Sequence, residues 1–320
     1  MWKALLALVL GALNPFAAQA QEYPSRQITL MVHLAAGTVS DLVFRAVGTQ
    51  MAKSLRVPVV VENRPGAGGM IVYEHVVKST PADGYVLASS TNSNLSLPIF
   101  VKDLRIDPVK DLLPVAIMAE GALAITSPVA APWSSMGEMV AYAKANPGKL
   151  NWGTSGAASV ANLNMEAVVM RDGLKITNIP YQGGNNMARL ALYANDIQLL
   201  VQTEAETLQD ARSGKVKALA ISGERRRPAF PNVPTFAEAG YAQLVGVWWA
   251  LNVKSGTPRP IMDRLNAAAT FAVQQPEVKE FFDKNGIYAV EMPVDAALKK
   301  VDEIGRSYAD IAAKAGIKPQ

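Results

Sequence analysis

The chain has 320 residues, half of them hydrophobic, with 31 Lys and Arg against 27 Asp and Glu, a net charge of +4 and no cysteine. That length is large for one core and natural for two domains of about 100–200 residues each. The missing cysteine excludes disulfides and a lipidated N-terminal Cys, and no basic stripe accompanies the small positive charge, so no nucleic-acid partner is expected.

The first twenty residues carry one charge, Lys3, followed by an apolar run from Ala4 to Leu13 and then Ala18-Gln19-Ala20. A basic start, a short apolar run and an A-x-A site describe a secretory signal peptide. The run is shorter than the roughly 20 residues a membrane span needs. Removal after Ala20 is expected, leaving a mature protein in the periplasm, where export without disulfides fits.

From Ile28 onward short β-branched runs alternate with amphipathic segments. Strands are expected at Ile28–Leu34, Val57–Val61, Tyr85–Ser89, Leu123–Thr126, Leu150–Gly153, Ile176–Ile179, Ile197–Val201, Val216–Ser222 and Val247–Val253. Thr38-x-x-Asp41 forms a capping box for a helix whose Val43, Val47 and Met51 share one face. Ser135-x-x-Glu138 opens another, closed by Asn146-Pro147-Gly148. Further helices are expected after Gly69, Ala158, Asn185 and Thr235. Strand, loop, helix, repeated, predicts an α/β fold with a mainly parallel sheet and helices on both faces. Beyond Val253 the chain reads as almost wholly helical, over Pro258–Gln275, Glu277–Lys284 and Pro293–Ala315.

In open α/β sheets ligands bind beyond the carboxyl ends of strands, where helices begin. Here those loops are small and hydroxylic: Ala35-Ala36-Gly37-Thr38, Thr91-Asn92-Ser93-Asn94, Thr154-Ser155-Gly156-Ala157 and Gln182-Gly183-Gly184-Asn185. Each would present backbone N–H groups at a helix start, a seat for an anion. The candidate site therefore takes Ala36, Gly37, Thr38, Ser40 and Asp41, with His33 at the strand end before them. Thr91, Asn92 and Ser93 join it, then Thr154, Ser155, Gly156 and Ala157, then Gly183 and Gly184 with Tyr181 before them. Trp248 and Trp249 share one strand, from which either ring could reach a cleft.

Catalytic patterns fare poorly. Gly153-Thr154-Ser155-Gly156-Ala157 approaches the nucleophile elbow, but that arrangement needs a histidine downstream of the serine. Both histidines, His33 and His75, lie upstream. No H-x-x-x-H spacing, G-x-G-x-x-G or G-x-x-x-x-G-K-[ST] occurs, which removes the usual metal, dinucleotide and nucleotide motifs. No enzyme activity, metal or cofactor is expected. An exported serine hydrolase using Ser155 is the alternative.

The motifs line up with one family. From Tyr23 onward the chain resembles the Bug receptors, the periplasmic solute-binding proteins of tripartite tricarboxylate transporters. "EYPSRQITLMV", "VENRPGAGG", "TPADGYVLASS", "GTSGAAS", "IPYQGG", "ALAISGERRRPAFPNVPTFAEAGY" and "SGTPRPIMDRLN" occur in family order. The resemblance implies a two-domain periplasmic binding protein of type II that closes like a Venus flytrap. It divides the chain into residues 21–121 plus 246–320 as domain 1 and residues 122–245 as domain 2. It further implies a small mono- or dicarboxylate, aliphatic or aromatic, held without catalysis by a monomer that delivers it to membrane permease subunits. A sensor serving a signalling protein would have the same site. Gln202 and Thr203 enter the candidate site here, since Gln202 stands where the family commonly has aspartate. Other departures are His33 for a usual proline, Thr38 for a second glycine, Ser40 for threonine, and Leu97-Pro98 for Asn-Pro. Losing an acid at position 202 should ease the approach of an anion.

Overall fold

The computed structural model describes residues 23–154, 159–181, 185–223, 225–242 and 244–315. The chain begins with β1 (Ile28–Val32), α1 (Val39–Leu55), β2 (Val59–Asn63), α2 (Met70–Ser79), β3 (Val86–Thr91), the short α3 (Leu97–Phe100) and β4 (Leu112–Gly121). It then continues through β5 (Leu123–Pro128), α4 (Met136–Ala145), β6 (Asn151–Thr154), α5 (Val160–Asp172), β7 (Thr177–Pro180), α6 (Asn185–Tyr193), β8 (Leu199–Thr203), α7 (Glu204–Arg212) and β9 (Val216–Ile221). The last part holds β10 (Val247–Lys254), α8 (Arg259–Val273), α9 (Pro276–Lys284), β11 (Ile287–Ala289) and α10 (Val294–Ala315).

Among the described residues these strands form two sheets, ordered β11-β4-β10-β3-β1-β2 and β7-β6-β8-β5-β9. Each sheet is the centre of its own lobe. The expected mainly parallel arrangement is corrected here, because both sheets are mixed. β1 is parallel to β2 and β3, but β10 runs antiparallel to β3 and β4. β6 is parallel to β7 and β8, whereas β5 is antiparallel to β8 and β9. The cause is the crossing between lobes. β4 leaves the first sheet directly into β5, and β10 returns beside β4, so these strands cannot keep the direction that βαβ units impose.

Local chemistry explains the helix starts. Thr38 accepts the Asp41 N–H at 3.2 Å and Ser135 accepts that of Glu138 at 3.2 Å, as the sequence patterns require. One face of α1, with Val43, Phe44, Val47 and Met51 fully buried, packs under the first sheet together with Leu265 and Ala269 of α8. Burying such a side chain contributes about 1.5–3 kcal/mol. Trp152, Met139, Met165 and Val168 fill the second lobe in the same way. In the Arg64–Gly69 loop, Gly69 has φ 99°, and a Cβ there would lie 2.7 Å from the Tyr73 ring. Only glycine fits, and the loop serves to start α2. The helix expected after Thr235 is instead a run of turns, with Thr235 bridged to Ile221.

Candidate functional site

Three helix starts, drawn from both lobes, face one cavity of about 460 Å³. Val39 and Ser40 open α1, Val160 and Ala161 open α5, and Ala205 and Glu206 stand in the first turn of α7. The first lobe adds Ser93, Trp249 and the Asn285–Ile287 turn; the second adds Gln202 and Thr203. Gly121, Ala122 and Leu123, where the chain passes between sheets, form the floor with Val247. A larger hollow of about 720 Å³ lies beyond Gly286 and Ile287, but of the three helices only α7 borders it, along its length from Glu204 to Arg212. The smaller cavity is the candidate site because helix starts open into it.

The first N–H groups of a helix have no intrahelical partner. In α1 the Thr38 side chain and carbonyl take the N–H groups of Asp41 and Leu42, which leaves those of Val39 and Ser40. In α5 the Ser159 side chain and carbonyl take those of Asn162 and Leu163, which leaves Val160 and Ala161. The first turn of α5 contains no acid, whereas that of α7 holds Glu204 and Glu206. The positive end of α5 is therefore unneutralised by its own side chains and an anion gains most there, since α1, like α7, carries an acid in its first turn, Asp41. Among the described cavity residues Glu206 alone carries a formal charge.

Of the expected site residues, Ser40, Ser93, Gln202 and Thr203 meet on the cavity wall. Thr203 caps α7, its hydroxyl donating to Glu206 at 2.9 Å and accepting the Glu206 N–H in return. Gln202 is buried, with Nε2 donating to Asp210 at 3.1 Å. Arg189 grips both Asp210 oxygens at 2.5 and 3.0 Å, and the Tyr193 hydroxyl donates to the same carboxylate. Burial pushes the Asp210 carboxyl up, but Arg189, Tyr193 and Gln202 together hold it below its usual range.

Other expected contacts have structural work instead. His33 is buried. The Ser89 hydroxyl accepts the His33 backbone N–H at 3.1 Å and lies within hydrogen-bond distance of Nδ1, at 2.7 Å. Burial lowers the His33 pKa to about 4, against the bond to Ser89, so the ring is neutral. Asp41 is buried too, and its oxygens accept from the Gly37 N–H at 2.8 Å, from Asn63 at 2.7 Å and from Arg45 at 3.0 Å. Burial raises the carboxyl, while these partners outweigh it and keep it ionised. Asn92 is fully buried, donating to the Gly246 carbonyl at 2.8 Å. Asp41 and Asn92 serve the fold, because their side-chain polar atoms already have partners inside the protein, and His33 is tied to Ser89 through Nδ1. Thr91 and Thr154 are buried and are not among the residues that line the cavity, and Ala36, Gly37 and Thr38 form the exposed loop before α1. Tyr181 is half-buried outside the cavity wall. Ser155, Gly156, Ala157, Gly183 and Gly184 lie outside the described residues.

Several wall residues escaped the sequence reading. Val160 and Ala161 are the middle residues of Ser159-x-x-Asn162, an N-cap pattern just beyond the loop singled out. Glu206 closes the capping box Thr203-x-x-Glu206. The Asn285-Gly286 turn reaches the wall from between the expected helices Glu277–Lys284 and Pro293–Ala315. Trp249, rather than Trp248, borders the cavity: its indole donates to Ser40 Oγ at 2.8 Å.

Comparisons with known proteins agree on one kinship. Residues 43–315 match the model of the tripartite tricarboxylate transporter family receptor. The chain is 36% identical over 281 residues to the UPF0065 protein in the gbd 5′ region of Cupriavidus necator, covering 88% of this chain and 84% of that one. It is 32% identical over 303 residues to protein BugT of Bordetella pertussis, covering 93% and 92%. Among solved structures, a TctC solute-binding protein from Polaromonas superposes with a TM-score of 0.81 at 29% identity, covering 92% of this chain and 99% of that one. MatC of Rhodopseudomonas palustris, solved with bound malate, gives 0.71 at 28%, covering 91% and 100%. Rpa4515 of R. palustris, solved with adipate, gives 0.74 at 25%, covering 93% and 100%.

Proposed function

This chain belongs to the tripartite tricarboxylate transporter receptor family, a family of solute-binding receptors rather than enzymes, and on that premise we propose that it captures a small organic carboxylate between its lobes. It does so in the periplasm and hands the acid to permease subunits of the same transporter type. Residues 21–121 plus 246–320 form one domain and residues 122–245 the other. The observation that carries the reading is the convergence of helix starts from both lobes on a single cavity. Backbone N–H groups at α1 and α5 supply charge-assisted hydrogen bonds, each term contributing roughly 0.3–2 kcal/mol. Contacts from both lobes at once favour the closed state, since an open cleft offers only one set.

The relatives solved with malate and adipate support a carboxylate as the solute class. Within that class the cavity favours an acid with an apolar body. Val39, Leu123, Val160, Val201, Val247 and Ile287 surround the few polar groups, and no described lysine or arginine lines the wall. A thermal-shift screen of mono- and dicarboxylates, aliphatic and aromatic, tests the reading. A ligand at 100 times its Kd stabilises by about 2.7 kcal/mol, enough for a clear rise in Tm. If no acid in a broad panel raises Tm, the receptor reading fails.

A further inference from the structure

We propose that Asn92 and Asn164 are positioning residues for closure: from opposite lobes they hold two successive residues of one crossover segment, Val245 and Gly246, and so fix where the lobes pivot. This rests on the receptor reading above. The chain passes between sheets twice. At the first passage Gly121 pairs with Val247 and Ile287 in the first sheet. The next residue, Ala122, accepts the Glu204 N–H at 2.9 Å, and Leu123 pairs with Thr203 in the second sheet.

The second passage changes allegiance just as abruptly. Asn164, in α5 of the second lobe, donates Nδ2 to the Val245 carbonyl at 2.8 Å and accepts the Val245 N–H on Oδ1 at 3.2 Å. Asn92, in the first lobe, donates Nδ2 to the Gly246 carbonyl at 2.8 Å and accepts the Trp248 N–H at 3.4 Å. Neither amide can be reversed, because that would set carbonyl against carbonyl and N–H against N–H. Both asparagines are buried. Val245 thus belongs to one lobe and Gly246 to the other, with a single peptide between them. The two passages also touch: a Cβ on Gly246 would lie 2.4 Å from the Gly121 carbonyl oxygen and 2.7 Å from Ser222 Oγ. The two covalent junctions between the lobes, 121–122 and 245–246, therefore lie side by side.

The clamps adjoin the candidate site. Asn92 precedes Ser93, and Asn164 stands one turn along α5 from Val160 and Ala161, all three on the cavity wall. An acid that draws these walls together pulls on elements that grip the pivot directly.

The test uses ligand-free protein. Because the chain has no cysteine, Lys144→Cys in the second lobe and Lys279→Cys in the first, both exposed, place one spin label on each lobe. Pulsed electron resonance then reads the interlobe distance. Asn164→Leu and Asn92→Leu should each broaden the distribution and move its maximum. The control is Asn266→Leu, since Asn266 bridges the Val115 and Met292 carbonyls at 2.7 and 2.8 Å within the first lobe. It should lower Tm and leave the distance unchanged. If Asn164→Leu does not fold, Asn164→Asp keeps the acceptor for the Val245 N–H, loses the donor, and should broaden the distribution alone. Wild-type distances in the Asn92 and Asn164 variants, or equal broadening in the Asn266 control, would overturn the proposal. A screen that finds no solute would sink the receptor reading while leaving this measurement intact.

Discussion

The indole N–H of Trp249 donates to the hydroxyl oxygen of Ser40 across 2.8 Å, tying β10 to the second residue of α1 on the wall of the cavity. The hydrogen bond occupies one lone pair of Ser40 Oγ and leaves the hydroxyl proton for another acceptor. The pair therefore presents a donor beside the N–H groups of α1. Trp249→Phe keeps an aromatic ring and removes only that N–H. Affinity for an acid found by the thermal-shift screen should fall about fivefold, near 1 kcal/mol. Calorimetric titration measures it, and unchanged affinity would remove Ser40 from the binding set.

His33 should make the protein acid-sensitive. Its pKa falls from 6.5 to about 4 on burial. Between those values the unfolded chain takes up a proton that the folded chain refuses. Stability is therefore fully present above pH 6.5 and is lost as pH drops toward 4, by at most about 3 kcal/mol from this residue. Denaturant unfolding of wild type and His33→Asn across that range isolates the contribution. A gap between the two proteins that stays constant with pH would count against it.

Two glycines should respond with opposite signs to alanine. Gly246→Ala forces a methyl onto the Gly121 carbonyl and should destabilise by about 1–3 kcal/mol. Gly305 lies within α10, and apart from the adjoining backbone of its own helix and its two chain neighbours no atom stands within 4 Å of where its Cβ would be. There Gly305→Ala should stabilise by about 0.5–1 kcal/mol, since alanine loses less backbone freedom in a helix. Chemical denaturation of both variants decides, and equal signs would contradict the packing described.

Gln202→Glu should create a pH-dependent defect. Gln202 Nε2 sits 3.1 Å from a buried Asp210 oxygen, so the substitution sets two carboxyls side by side. Like charges at that range push one pKa up. A raised carboxyl favours folding below its unfolded pKa and loses that stability as pH rises through the folded one. The variant's deficit should grow from pH 5 to pH 8, reaching roughly 1–3 kcal/mol. Equilibrium unfolding at the two pH values tests it; a deficit that shrinks toward pH 8 would refute the sign.

Much of the fold is legible in the linear chain because its signals are local. A Thr or Ser N-cap reaches only three residues ahead, so the starts of α1 and α4 follow from Thr38-x-x-Asp41 and Ser135-x-x-Glu138 alone. β-branched runs mark β1, β5, β8 and β9 for the same reason. β4 escaped notice: Leu112–Gly121 is apolar on nearly every residue, without the alternation of a half-exposed strand, because both its faces are covered. β11 has three residues, too few to show a period.

The amino-acid order by itself determined the α/β class, the small-residue loops and the family resemblance, each written within stretches of a few to a few dozen residues. Only the tertiary structure decided which polar groups remain for a solute. Asn92, Asp41 and His33 look like binding residues in a loop, yet each is matched by a partner from another part of the protein. Asn92 meets Gly246 from 154 positions away and His33 meets Ser89 from 56. Hydrogen-bond partners at such separations are chosen by how the sheets pack, because a buried polar atom takes whatever donor or acceptor the fold brings within about 3 Å.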